Sequence, residues 1–234
     1  MEAEKHKNPL IIAIRHGERA DLAGDSSSYE IPFDPCLTER GMKQAFQTGL
    51  FLQKHFNLSG RKVYVYSSPL LRTMQTAAQV LKATGLVATH KIMVRNYLVE
   101  ELYTQYFPKN PLKNCLIRTR PYDYIRDKML AKTEYEDNDL TELKFPEKSQ
   151  QATDRCKVGF EYFIREHSHE PEAAVILVGH GRIVDEFNAC FGNIYMYNYQ
   201  YCAVSAAELV GKEWNLILSD YHSHIKDTHP SPLD

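Results

Sequence analysis

The apolar positions of this chain fall into short unbroken runs that alternate with longer helical stripes. Leu10-Ile11-Ile12-Ala13-Ile14 is one such run, and it stops at Arg15-His16-Gly17. An unbroken apolar run ended by a glycine turn predicts a strand buried on both faces, as in a parallel sheet. After a polar, serine-bearing loop over 20–37, Thr38 offers an N-cap. Met42, Ala45, Phe46, Gly49 and Leu50 then recur at helical spacing to about Phe56. Gly41 and Gly49 are costly inside a helix, so they are expected to mark close approach of another backbone. Val63-Tyr64-Val65-Tyr66 predicts a second strand, and Ser67-Ser68-Pro69 breaks it and opens a helix to about Ala83, with Pro69 near its first turn.

A third short strand is expected around Ile92–Val94. Residues 101–148 change character, being rich in Tyr, Lys, Arg and later acidic residues with weak periodicity. They are read as a partly helical insertion or cap. Ala152, Cys156, Phe160 and Phe163 mark a helix from Ser149 to about His167, and Ala173–Val178 is a fourth buried strand closed by Gly179-His180-Gly181. A short helix over Ile183–Phe191 follows. Two strands, Val204–Val210 and Trp214–Leu218, are then joined by a tight turn at Gly211-Lys212. The polar tail from about Tyr221 is expected to be loose. Strand alternating with helix argues an α/β fold, a mostly parallel sheet covered on both faces. The whole chain, 1–234, reads as one domain.

Composition narrows the partners. A formal net charge of −2 over 234 residues leaves no global field to attract nucleic acid or an acidic membrane, so any positive field is local. The N-terminus to Pro9 is polar, which argues against a signal peptide, and the apolar run after it is too short to span a bilayer. Five scattered cysteines without a C-x-x-C pair favour a reducing, cytoplasmic setting and no zinc site. Monomer and homodimer both stay open.

The chemistry collects where strands end. Arg15 and His16 close the first strand, Arg72 lies in the first turn of the helix after the second, and His180 closes the fourth. In open α/β sheets ligands bind outside the carboxyl ends of the strands. Cations delivered there from three junctions suit a doubly charged oxyanion, because Arg grips phosphate with two hydrogen bonds and helix N-termini add donors. A neutral imidazole can attack phosphorus once its other nitrogen is pinned by a hydrogen bond. No cysteine has an Arg six positions on, and the chain lacks both a G-x-x-x-x-G-K-[ST] loop and an H-E-x-x-H helix. The basic residues Lys109, Lys113, Arg118, Arg120 and Arg126 read as a solvated face before they read as a substrate funnel.

Arg15-His16-Gly17-Glu18, Ser67-Ser68-Pro69-Leu70-Leu71-Arg72-Thr73-Met74-Gln75-Thr76-Ala77 and Gly179-His180-Gly181 resemble the three signature motifs of the histidine phosphatase superfamily, the phosphoglycerate-mutase-like fold. Leu37-Thr38-Glu39-Arg40-Gly41 with Gln44-Ala45 is similar to the opening of that family's first helix. The likeness runs from residue 10 to about 210 and fails across the insertion. Arg19 and Asp21 further resemble the TULA/Sts protein tyrosine phosphatase branch. Two departures stand against that: Gly179 occupies a position where the family usually carries Ser or Thr, and the loop after Asp21 is shorter than in vertebrate members. The ubiquitin-binding and SH3 modules of that branch have no counterpart here.

The resemblance implies a three-layer α/β/α sandwich and a phosphomonoester hydrolase that needs neither cofactor nor metal. His16 would carry the phosphoryl group, Arg15, Arg72 and Arg19 would hold its oxygens, and His180 would form the opposite wall. The family places a general acid after the third strand, which selects Glu100, with Glu101 as its rival. Arg19 could instead form an ion pair with Glu18 or Asp21. The implied substrate is a phosphorylated protein, phosphotyrosine included, or a small molecule. Two other readings stand beside it: a phosphosugar or phosphoglycerate mutase or sugar-phosphate phosphatase on the same fold, and a catalytically weak module that binds phosphorylated ligands. The mutases resemble Arg-His-Gly-Glu/Gln-Ser at the first motif, so Arg19 separates them.

Overall fold

The computed structural model describes residues 8–24, 30–139, 141–195 and 200–226. The start of the polar N-terminus, residues 25–29 of the serine loop and the tail from residue 227 lie outside the described residues. The elements are β1 (Leu10–Arg15), α1 (Glu39–Phe56), β2 (Lys62–Ser67), α2 (Leu71–Thr84), β3 (Ile92–Val94), the short helices α3 (Pro111–Asn114), α4 (Leu116–Thr119) and α5 (Tyr122–Lys128), then β4 (Tyr135–Glu136), α6 (Ser149–His167), β5 (Ala173–Gly179), α7 (Gly181–Gly192), β6 (Val204–Val210) and β7 (Glu213–Tyr221).

The strands form one mixed sheet in the order β4-β3-β2-β5-β1-β6-β7. From β4 to β1 neighbours run parallel, while β6 and β7 continue the sheet antiparallel. The unbroken runs of β1 and β5 follow from cover on both faces. Leu10, Ile12 and Ile14 join Ala174, Ile176 and Val178 in a core under α1 and α2, which Leu112, Leu116, Ile125 and Met129 of the 101–148 segment extend. Ile11, Ala13, Val175 and Leu177 face the other way, against Phe160 and Phe163 of α6 and Val184 and Phe187 of α7. This is the α/β sandwich expected. Among the described residues no helix is long and apolar enough to cross a membrane.

Pro69 lies near the first turn of α2, as expected, just before the extended N-cap Leu70. Leu70 brings no side-chain cap, so the orphan N–H of Leu71 is taken by a carboxylate from elsewhere, Asp34 Oδ1 at 2.7 Å. The segment expected to be loose from about Tyr221 is seated as far as Lys226. Phe51 of α1 stacks on Tyr221 and His224 at 5.0 and 4.7 Å, and His224 Nε2 lies 2.9 Å from Thr48 Oγ1.

The helix glycines behave as expected. Thr38 caps α1, accepting from the Gly41 N–H at 2.9 Å. A Cβ on Gly17 would lie 2.5 Å from the Gly41 carbonyl oxygen, and one on Gly41 would run into the backbone of Glu18. A Cβ on Gly49 would lie 2.7 Å from the Val80 carbonyl oxygen, which is how α1 and α2 come together. Backbone cannot yield as a side-chain tip can. Gly41→Ala is therefore expected to destabilise the protein by about 2–4 kcal/mol. Lys43→Ala, two residues on and exposed, should change stability by less than about 0.5 kcal/mol. Urea unfolding of the two variants checks this.

Candidate active site

Backbone hydrogen bonds between strand ends build the floor of the site. The Arg15 N–H donates to Ala203 O at 3.0 Å, His16 N–H to Gly179 O at 3.0 Å, Ser68 N–H to Val178 O at 3.0 Å, and Cys202 N–H to His16 O at 3.2 Å. The Gly17 N–H donates to Thr76 Oγ1 at 3.1 Å, which fixes the turn after the strand to α2. The carboxyl ends of β1, β2 and β5 thus meet at one place. His16 and His180 stand there with ring centroids 5.3 Å apart, edge to face.

The tautomer of His16 follows from its partner. Nδ1 lies 2.7 Å from the Gly17 carbonyl oxygen, and a carbonyl only accepts, so Nδ1 carries the proton and the lone pair sits on Nε2. Burial, then the nearby Arg72 and Arg15, hold His16 well below the usual imidazole range. It is neutral at physiological pH. His180 is likewise held low by burial and by Arg72. Its Nδ1 faces Arg72 Nη2 at 3.5 Å, which makes Nδ1 the acceptor, and its Nε2 lies 3.0 Å from Ser68 Oγ.

Arg72 is almost wholly buried. Burial lowers its pKa to about 9, so it stays a cation at neutral pH. Its Nη1 donates weakly to Phe33 O at 3.4 Å, and its Nε has no acceptor among the described residues. Arg15 is also buried and lowered, chiefly by desolvation, and its guanidinium lies over the Tyr201 ring at 4.6 Å from the centroid. Arg19 sits nearer the rim, paired to Asp21 through Nε at 2.8 Å and Nη2 at 2.6 Å. The ion-pair reading of Arg19 therefore holds in this structure.

The two glutamates diverge. Glu100 Oε2 lies 3.6 Å from His180 Nδ1. Glu101 turns instead toward Tyr103 and Arg182. What orients them is a buried pair in the next layer. Arg155 Nη2 bonds Glu147 Oε1 at 2.6 Å, while its Nη1 donates to the carbonyls of Tyr97 and Val99 at 2.8 and 2.9 Å. Glu147 Oε1 also accepts the Leu102 N–H at 2.9 Å. The segment carrying Glu100 is held at both ends.

The structure therefore brings Arg15, His16, Arg72, Glu100 and His180 together, with Arg19 at the edge and Glu101 turned away. Several supports were not foreseen. Asp34, fully buried, accepts from Leu71 N at 2.7 Å and Leu116 N at 2.8 Å, tying the loop to α2 and α4. Glu18 is held by Thr38 Oγ1 at 2.7 Å and Arg40 Nη1 at 3.0 Å. Ser68, Thr76, Arg155 and Tyr201 complete the set. The departure at Gly179 has a steric correlate, since a Cβ there would lie 2.9 Å from the Ile183 side chain.

Comparison with known proteins gives a partial family match and a shared fold. Residues 11–103 match the model of the histidine phosphatase superfamily, branch 1. The match covers β1 with Arg15 and His16, α1, β2, α2 with Arg72, and the segment of Glu100. No curated protein matches the chain in sequence. Among solved structures it is similar to the ecdysone phosphate phosphatase from Bombix mori in complex with tungstate. That likeness has 20% identity and a TM-score of 0.63, covering 89% of this chain and 92% of that one. It is similar also to the phosphoglycerate mutase from Bacillus anthracis, at 16% identity and TM-score 0.61, covering 94% of this chain and 96% of that one. A phosphoserine phosphatase from Entamoeba histolytica with bound phosphoserine is a third, at 16% identity and TM-score 0.58, covering 92% and 98%. At these identities the structural likeness carries the fold: the α/β architecture of histidine phosphatases and phosphoglycerate mutases.

The neutral imidazoles make stability depend on pH. As pH falls through about 6.5, histidines in the unfolded chain take up protons while buried His16 and His180 do not. The unfolded state then binds more protons, so stability falls with falling pH, by up to about 1.4 kcal/mol per pH unit for each such group. Urea unfolding at pH 7.5, 6.5 and 5.5 should show this decline. His16→Gln and His180→Gln should each flatten it.

Proposed function

We propose that this chain is a phosphomonoester hydrolase of the histidine phosphatase superfamily that works through a phosphohistidine. The observation that carries this reading is His16, buried and neutral, with Nδ1 pinned by Gly17 and the Arg72 cation nearby. Its Nε2 lone pair is the nucleophile. Attack forms the N–P bond as the P–O bond to the leaving group breaks. Arg15 and Arg72 stabilise charge on the phosphoryl oxygens, as fixed cations do in phosphoryl transfer. His180 forms the opposite wall. Glu100 gives its proton to the departing oxygen, then takes one from the water that attacks the phosphohistidine and releases phosphate. No step calls for a cofactor.

The finer reading is an enzyme of the TULA/Sts branch acting on phosphotyrosine protein in the cytoplasm. It rests on Arg19 and Asp21, a pair that the mutase-type first motif lacks. Phosphotyrosine peptides, sugar phosphates and phosphoglycerates assayed side by side separate it from the mutase and sugar-phosphatase readings. We take the chain as one catalytic domain with 101–148 as its insertion.

Two experiments test the mechanism. Rapid acid quench with labelled substrate should trap an acid-labile, alkali-stable adduct that His16→Ala lacks, and an unchanged adduct in that variant would end the proposal. General-acid help matters most for poor leaving groups. Glu100→Gln should therefore slow single-turnover transfer from an alkyl phosphate at least about a hundredfold while transfer from p-nitrophenyl phosphate falls far less. Breakdown of the phosphoenzyme should slow as well. Glu101→Gln should show neither effect.

A further inference from the structure

We infer that the Tyr201 hydroxyl is a hydrogen-bond donor to the oxyanion bound beside His16, an assignment that rests on the phosphatase reading above. Tyr201 is 4% exposed. Its ring stands 5.9 Å from that of His16, and the Arg15 guanidinium lies over its face. The position is not accidental packing of a mobile loop: Cys202 N–H donates to the His16 carbonyl, and Arg15 N–H to that of Ala203. Tyr201 is thus registered to the nucleophile by the residues that follow it.

The ring has work as a phenylalanine would have it, lying under a cation. The hydroxyl has none among the described residues. It is shielded from solvent and has no hydrogen-bond partner among the described residues, an arrangement that costs stability and that native structures rarely keep without a reason. Burial keeps the phenol protonated, so it is a donor at neutral pH. Arg72 Nε also lacks an acceptor among the described residues. Arg72 stands against His180, and Tyr201 against His16. Each imidazole therefore adjoins a side chain whose donor has no acceptor among the described residues. An oxyanion with several lone pairs satisfies them, and inorganic phosphate and its analogue orthovanadate are the simplest such ligands.

The chemistry distinguishes this from a structural role. If the hydroxyl serves the ligand, its removal relieves the free protein and weakens the complex. Tyr201→Phe in the full chain should bind orthovanadate and inorganic phosphate about tenfold more weakly by calorimetry, as loss of one hydrogen bond to a charged acceptor does. Its melting temperature without ligand should equal or exceed that of the wild type. Thr133 serves as the control, another fully buried hydroxyl without a hydrogen-bond partner among the described residues, in the stretch between α5 and β4. Thr133→Val should leave both affinities unchanged. Unaltered affinity in Tyr201→Phe, or an equal loss in Thr133→Val, would overturn the assignment while leaving the phosphatase reading intact if the wild type binds and turns over. Wild-type protein that bound neither anion and hydrolysed no phosphomonoester would overturn both.

Discussion

Gathering guanidinium groups around two imidazoles inside a desolvated pocket opposes folding, and this constraint shapes the carboxyl edge of the sheet. Burial acts on Arg15, Arg72, His16 and His180 in the same sense, against their charged forms. The imidazoles answer by staying neutral, while the guanidiniums keep their charge. The amino ends of α2 and α7 add positive potential at the same edge. The chain keeps these groups in place by other means: inter-strand hydrogen bonds through the backbone of Arg15 and His16, and the Thr76 hydroxyl on the Gly17 N–H. On the proposed phosphatase reading, a bound dianion would remove the repulsion at its source, and what opposes folding of the free protein would become binding energy.

Neutrality also decides which group does what. A protonated His16 has no lone pair on Nε2 and repels Arg72. The desolvated setting that would be a poor place for an imidazolium is a suitable place for an imidazole nucleophile. Against the effect of burial, Arg15 is raised by Tyr201 and then Glu100, and Arg72 by Asp34 and then Glu100. The segment carrying Glu100 is locked by Arg155 and Glu147, a pair whose two side chains are each about 4% exposed. Such a buried pair is costly to break from one side. Its value here lies in the carbonyls it holds, which set the direction of Glu100 and turn Glu101 away.

The parts of this arrangement visible in the sequence are those governed by local rules. Strands β1 and β5 are legible because cover on both faces demands unbroken apolar runs, and α1 because Thr38 and the helical stripe mark its start and face. Arg15, His16, Arg72 and His180 are legible because each adjoins a strand end or helix start. Asp34 is not, because its two N–H partners come from Leu71 and Leu116, far along the chain. Nor is the cap of α2, which that distant carboxylate supplies to the Leu71 N–H. Tyr201 lies on an irregular approach to β6, and only the antiparallel pairing of β6 with β1 brings it to His16. The resemblance selects Glu100 with Glu101 as its rival, and nothing local in the sequence separates the two. The Arg155 clamp makes that choice.

The glycine contact between Gly17 and Gly41 shows how far the site reaches into the fold. Close approach of α1 to the turn after β1 is what lets Glu18 meet both Thr38 and Arg40. The Gln44 side chain of the same helix accepts the Glu18 N–H at 2.9 Å. Glu18 is thereby bonded through both its N–H and its carboxylate to α1 and its cap. Packing without side chains at two glycines thus does an electrostatic task. It holds the Glu18 carboxylate on Arg40 and Thr38.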